Sequence, residues 1–299
     1  MPWHGTIGTM MAERLSSRVM EYERPKRVAL SRRFPWLVGG AVLVRRTRRT
    51  FKNSLSLKKL HKGQPLPSVV ARHSSPLFRR LGDSDMRLQV NKVVNLNMAL
   101  QALDGIVIPP GQVFSFWHVL GPVTRKKGYV DGMLLSNGQV SEGLGGGLCQ
   151  LSNFLFWIFL HANMEVLERH HHSVDAFPDS KRTLPFGSGA TVFSNYLDLR
   201  MRNISPYPLQ LKLWLTETCL KGQLRSTRPA LQKFHVLERN HCFAYKNGRY
   251  YRYNEIYRQT LVNGSLTREE PVGVSFAPVV YPVTDEYLAE RGYETVEIR

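Results

Sequence analysis

The chain has 299 residues, 42% apolar and 10% aromatic, enough to bury a core in one large domain or two small ones. Its formal net charge of +18 is uneven: residues 1–80 carry 18 Lys and Arg against 3 Asp and Glu, and residues 81–299 carry 23 against 20. Three cysteines, Cys149, Cys219 and Cys242, do not make a disulfide framework; they fit a reducing compartment, with Cys219 and Cys242 able to pair if they lie close.

Residues 1–80 read as a basic N-terminal arm with a helical segment. The first 27 residues lack the apolar core of a secretion signal, so a cytoplasmic protein is expected, peripheral at the inner membrane face if the arm docks there. FPWLVGGAVLV, residues 34–44, is fenced by Arg32, Arg33, Arg45 and Arg46. It is too short to span a bilayer core, which takes about 20 helical residues. It either docks on the main domain or lies at a membrane surface with its arginines on head groups. RRTRRTFKNSLSLKKLHKG, residues 45–63, reads as a basic helix that GQPLPS then breaks. Such an arm favours an anionic partner: a phospholipid surface, a wall polymer or nucleic acid. Nucleic acid is set aside, because no recognised reading element is present and the charge lies outside the folded domain.

Residues 81–225 read as the main domain. MRLQVNKVVNLNMALQALD, residues 86–104, has apolar residues at near-helical spacing, with Gly105 as the stop. Ile106–Ile108 reads as a short strand, Pro109-Pro110-Gly111 as a turn, and Val113–Phe116 as a second extended run. Asn137-Gly138 is a hairpin signal between two extended runs. Residues 150–163 read as a helix apolar nearly all round, hence buried. VLERHHHSVDAF, residues 166–177, reads as a strand; 189–203 and 209–215 alternate as strands do. Residues 226–299 form a hairpin-rich extension with signals at Asn247-Gly248 and Asn263-Gly264. The class is α+β: one main domain with a buried central helix packed on mostly antiparallel strands. No repeat or phosphate-binding glycine loop occurs, and no cofactor is expected.

EGLGGGLCQLSNFLF, residues 142–156, sets a thiol just after three glycines and just before the buried helix. The free N–H groups and positive end of a helix begun there would lower the pKa of Cys149 and stabilise an oxyanion. A base must follow. On a strand His170 and His172 share a face and His171 points away. Asp175 and Asp198 are candidate orienting acids. The order Cys, His, Asp is similar to the transglutaminase-like and papain-like arrangement of thiol enzymes. The alternatives are a small buried cysteine capping a core helix, histidines bonded to backbone, an exposed Asp198, and zinc held by Cys149, His170 and His172.

GQVFSFWHVLGPV, GGGLCQLSNFLF, ERHHHSVDAFPD and FGSGATVFSNYLDLRMRN resemble the VanW family over about residues 86–215, in the right order with the right gaps. The resemblance implies an association with glycopeptide resistance and the Gram-positive envelope. It maps the family's motif onto Gly145, Gly146, Gly147, Cys149 and Gln150, onto Arg169, His172 and Ser173, and onto Asp198 and Asn203. Many members carry Asp-Ala where this chain has Gly189-Ala190, so an acid supplied there is missing and Asp198 would have to serve.

Two functions follow as expectations. In one, Cys149 attacks an amide of a peptidoglycan precursor, His172 is the base, Asp198 orients it, and His170 and Gln150 assist. The enzyme would be a cysteine-dependent amidase, peptidase or acyl transferase, with Gly145, Gly146, Gly147, Arg169, Ser173 and Asn203 holding substrate and no metal. In the other, a non-catalytic module binds wall precursor, anionic lipid or a partner resistance protein.

Overall fold

The structure, a computed structural model, describes residues 4–23, 37–78, 86–136, 139–176, 178–179, 184–193 and 197–298. In chain order the elements are α1 (His4–Glu23), α2 (Leu37–Ser56), β1 (His61–Lys62), β2 (Ser68–Pro76), α3 (Met86–Leu103), β3 (Ile106–Ile108), β4 (Val113–Ser115) and α4 (Phe116–Leu120). Next come β5 (Asp131–Ser136), β6 (Gln139–Leu144), α5 (Leu148–Leu160), β7 (Met164–Glu168), β8 (Arg200–Asn203), β9 (Leu209–Leu215) and β10 (Cys219–Ser226). The chain closes with β11 (Gln232–Lys246), β12 (Arg249–Val262), β13 (Ser265–Pro278), α6 (Asp285–Glu290) and β14 (Glu294–Glu297).

The α+β reading holds. Among the described residues, the strands pair in the orders β1-β3-β9-β10-β2, β4-β8-β7, β5-β6 and β13-β12-β11-β14. All these pairings are antiparallel except β11 with β14. Helix α5 lies on β2 and β10. Its Leu151, Phe154, Leu155, Phe156, Ile158, Phe159 and Leu160 are all buried, as an all-apolar helix must be. Each such side chain contributes roughly 1.5–3 kcal/mol on burial. Gly222 on β10 lets the Phe154 ring lie flat on the sheet: a Cβ there would come within 2.9 Å of the ring. Helix α3 packs beside α5 through Leu96, Ala99, Leu100 and Leu103, whereas Val90 and Val94 face water.

The basic stretch is not a free arm. Leu15 and Val19 of α1 are fully buried against Tyr251, Tyr253 and Phe276 of the C-terminal sheet. Arg14 also donates to Glu255 at 2.5 Å. Strands β1 and β2, which fall within residues 1–80, complete the sheet on which α5 rests; β2 pairs with β10 from Ser68 to Pro76. Residues 34–36 of the apolar stretch lie outside the described residues, and 37–44 begin α2.

Two strand readings are corrected. The strand after α5 ends at Glu168, with its pairing to β8 slipping between Val166 and Glu168. His170–His172 are not strand, because the Arg169 side chain and the His170 carbonyl, which accepts from Thr191 N at 2.7 Å, turn toward the 187–191 loop instead. Among the described residues of the 189–203 run only Arg200–Asn203 joins a ladder, beyond an isolated Phe193–Leu197 bridge. The hairpins are as read: Ser136 pairs with Gln139 around Asn137-Gly138, which itself lies outside the described residues. Asn247-Gly248 and Asn263-Gly264 turn with φ of 50° and 78°, and 51° and 83°. Positive φ at both central residues is what a two-residue hairpin of matching twist needs.

Candidate functional site

A cleft of about 980 Å³ opens between the start of α5, the β5–β6 hairpin, α4, the inner side of α2 and the 171–176 and 184–193 segments. Cys149, Gln150, Asn153, His171 and His172 line it, together with His73, Lys92 and His118.

The glycines build its floor. Gly147 caps α5 at φ 100°, in the left-handed region that strains other residues, and a Cβ on it would strike Lys92 at 2.3 Å. A Cβ on Gly146 would sit 2.1 Å from the carbonyl carbon of Gly132, so the turn can pack on β5 only with glycine there. Asn95 fixes this junction, donating to Gly146 O at 2.9 Å and Val130 O at 3.0 Å and accepting from Val130 N. The Leu148 and Gln150 N–H groups donate to Gly145 O and Gly147 O at 3.3 and 2.9 Å. Two of the donors expected for an oxyanion are therefore engaged in the turn. Gln150 ties the helix start to β2, donating to Pro76 O at 2.8 Å and Ser75 Oγ at 3.1 Å.

Cys149 is a hydrogen-bonded thiol. Its Sγ donates to Val192 O at 3.5 Å, and burial raises its pKa above the ordinary thiol value. The thiolate-favouring environment expected of a helix start is outweighed by loss of water. His172 lines the same cleft. Its Nδ1 bonds Thr191 Oγ1 at 2.9 Å, and Asn153 Nδ2 lies 3.5 Å from its Nε2. The Asn153 amide is oriented by its Oδ1, which accepts from Ala190 N at 2.7 Å. Its NH2 group therefore faces the Nε2 edge of the His172 ring.

Both candidate acids are bonded to other groups. Asp198 is fully buried under α2 and is not part of the cleft wall. Its carboxylate accepts from Ser115 Oγ at 2.6 Å, Trp117 N at 3.2 Å, Leu199 N at 3.0 Å and Arg200 Nε at 3.2 Å. Asp175 reaches the cleft, but its carboxylate accepts from Arg252 at 3.1 Å and from Tyr281 at 2.9 Å. Position 189 is the one that points at the histidine: a Cβ on Gly189 would lie 3.3 Å from His172 Nε2 and 2.6 Å from Asn153 Oδ1. A side chain there would meet the ring directly, and this chain has none.

The remaining expected residues hold the walls. Arg169 donates to Gly189 O at 2.9 Å and to Gly187 O, and stacks over Phe156; burial lowers its pKa to about 10. It clamps the 187–189 loop to the domain. His170 turns away from the cleft and pairs with Glu168 at 2.9 Å. Ser173 is exposed. Asn203 is buried at the end of β8, donating to Ile108 O and Tyr207 O. Among the described residues no group of three His, Cys, Asp or Glu is arranged to hold a metal ion, and Cys149, Cys219 and Cys242 are free thiols.

Several residues of the site escaped the sequence reading. Asn153 was findable, because it lies four residues after Cys149 and so on the same helix face. Thr191 and Val192 carry no local signal; Arg169 brings them in by folding the loop back. His73 enters through β2, and its position over Phe154, with ring centroids 5.0 Å apart, lowers its pKa to about 4 by burial.

The family model described as VanW like protein matches residues 91–225, from α3 through β10, which carry most of the cleft. The Vancomycin B-type resistance protein VanW of Enterococcus faecalis is 30% identical over 200 residues, 67% of this chain and 73% of that protein. The uncharacterized protein YoaR of Bacillus subtilis is 33% identical over 121 residues, 40% of this chain and 37% of that protein. No solved structure matches the chain. A shared span that carries the glycine turn, the thiol, the Arg169 clamp and the histidine, at this identity and coverage, means that the chain belongs to the VanW family.

Proposed function

We propose that this chain is an accessory protein of glycopeptide resistance that holds an anionic cell-wall precursor in its cleft and does no thiol chemistry. The link to resistance rests on the name of the Enterococcus relative. The observation that carries the binding reading is the state of Cys149: a half-buried thiol bonded to Val192 O, beside a His172 whose Nε2 edge faces Asn153 and a position 189 without a side chain. Charge and hydrogen-bonding groups support the class of ligand. Arg46 and Lys92 are the cations among the described residues of the cleft, neutral imidazoles such as that of His73 add polar contacts, and Asp175, bound to Arg252, is the one carboxylate there among the described residues. Peptidoglycan precursors carry phosphates and carboxylates and are made at the inner membrane face, where this reading places the protein.

A thiol-dependent amidase, peptidase or acyl transferase is the second reading. It is favoured by Cys149, Asn153 and His172 sharing one cleft, and it requires the thiol to leave Val192 when substrate enters. Calorimetric titration with the soluble nucleotide-linked muramyl pentapeptide tests both. The wild-type and Cys149→Ala proteins are expected to bind alike, and His118→Ala/His172→Ala to bind roughly tenfold more weakly, as loss of two polar contacts implies. Absence of binding would overturn the role of the cleft. Loss of resistance in Cys149→Ala, at normal protein level and melting temperature, would overturn the binding reading in favour of the thiol.

A further inference from the structure

Helix α2 has two faces with different tasks. Arg49 pairs with Glu168 and lies 3.7 Å from the Asp198 carboxylate, Asn53 accepts from Arg200, and Arg46 and Thr50 line the cleft. At 100° per residue these four positions form one side of the helix. Val44, Phe51 and Leu55 fall on the opposite side, 64%, 67% and 74% exposed. Leu43, 61% exposed, falls beside Thr50 at the margin of the cleft side. A soluble surface does not ordinarily place large apolar side chains in a row on the outside of a helix whose other face is already docked. Arg48 sits within this stripe and Arg45 and Lys52 along its edge, all exposed. No acidic residue occurs between Glu23 and Asp83. No helix among the described residues is long and apolar enough to cross a membrane.

We propose that the outward face of α2 is a docking surface for an anionic phospholipid bilayer. The helix lies in the plane of the interface, with Val44, Phe51 and Leu55 at the acyl boundary and Arg45, Arg48 and Lys52 on lipid phosphates, their stems running along the apolar stripe. An apolar row threaded with cations fits a bilayer interface; a nucleic acid would use the cations and leave the row in water. The same helix walls the cleft with Arg46 and Thr50, so docking sets the cleft beside the head groups. This surface does not depend on what the cleft holds.

The test is co-sedimentation of the full chain with vesicles of equal phosphatidylglycerol and phosphatidylcholine, and with phosphatidylcholine alone. Binding to the anionic vesicles is expected to be at least about tenfold tighter than to the neutral ones and to weaken in high salt. Phe51→Ser/Leu55→Ser and Arg45→Glu/Arg48→Glu/Lys52→Glu are each expected to lower it by at least about tenfold. All these side chains are exposed, so melting temperatures are expected to hold and to separate lost binding from lost folding. Equal binding to both vesicles, unchanged binding in either variant, or capture of duplex DNA in place of vesicles would overturn the proposal.

Discussion

The wall that carries Cys149 and the charge cluster around Asp198 hold the residues that sequence order joins into one triad, and they are built in opposite ways. The thiol wall is open and largely neutral: Cys149 on a carbonyl, His172 between a hydroxyl and an amide. The cluster is closed and charged: Asp198, Glu168, Arg200 and Arg49 interlock beneath α2 with Ser115 and the α4 backbone. A fully buried carboxylate with two backbone N–H donors, a hydroxyl and a guanidinium is stabilised where it is and cannot also orient a base elsewhere. The acid holds the scaffold together, apart from the thiol wall.

Removing Asp198 separates these roles most sharply. Asp198→Ala leaves the buried Ser115 hydroxyl and the Trp117 and Leu199 N–H groups without their acceptor and takes a carboxylate from Arg200, and is expected to cost roughly 3–5 kcal/mol in urea unfolding. A loss under 1 kcal/mol would mean the cluster is not structural. Gly146→Ala is next. Its Cβ must displace the Gly132 backbone, with an expected loss of roughly 2–3 kcal/mol; wild-type stability in that variant would show that the turn yields.

Much of this was legible in the chain and some was not. The helices at 86–103 and 148–160, the β9 alternation and the Asn-Gly hairpins at 247–248 and 263–264 follow from local period and turn chemistry, and they stand. Strand β2 was missed because SVVARHSSP alternates weakly and its partner β10 lies about 150 residues away. His170–His172 were read as strand because nothing in ERHHHSVD shows that Arg169 will turn inward and clamp Gly187 and Gly189. The glycine triplet was legible as special but not in kind: its positions answer to Gly132 and Lys92, which no spacing within 142–156 reveals. Asp198 looked available because Ser115, its closest partner, lies 83 residues earlier.

Acid tests the cleft's apolar back wall. His73 is held neutral down to about pH 4 against 6.5 when unfolded. A depressed folded pKa means the unfolded chain binds the proton first, so the contribution is whole above pH 6.5 and is lost as pH falls toward 4. After allowance for partial exposure to water, it amounts to about 1–2 kcal/mol. His73→Gln is expected to flatten the melting temperature between pH 6.5 and 4 relative to wild type; parallel curves would place the acid sensitivity elsewhere. The smallest effect belongs to position 189. Gly189→Asp sets a carboxylate beside the His172 ring once Asn153 shifts, and a raise of about one unit in the imidazole pKa is expected by NMR titration. No movement would mean that residue 189 does not address the histidine.

The most direct measurement is the reactivity of Cys149 itself: iodoacetamide alkylation as a function of pH with peptide mapping, in wild-type and His172→Ala proteins, with Cys219 and Cys242 as internal references. Burial raises the Cys149 pKa and pushes that of Cys242 up to about 12, while hydrogen bonds from Ser74 and Thr218 lower that of Cys219. Cys219 is therefore expected to react first, and Cys149 only above the free-thiol value of about 8.5, with no change when His172 is removed. A Cys149 that alkylates below neutral pH and slows on loss of His172 would contradict the binding account and show an activated nucleophile in the cleft.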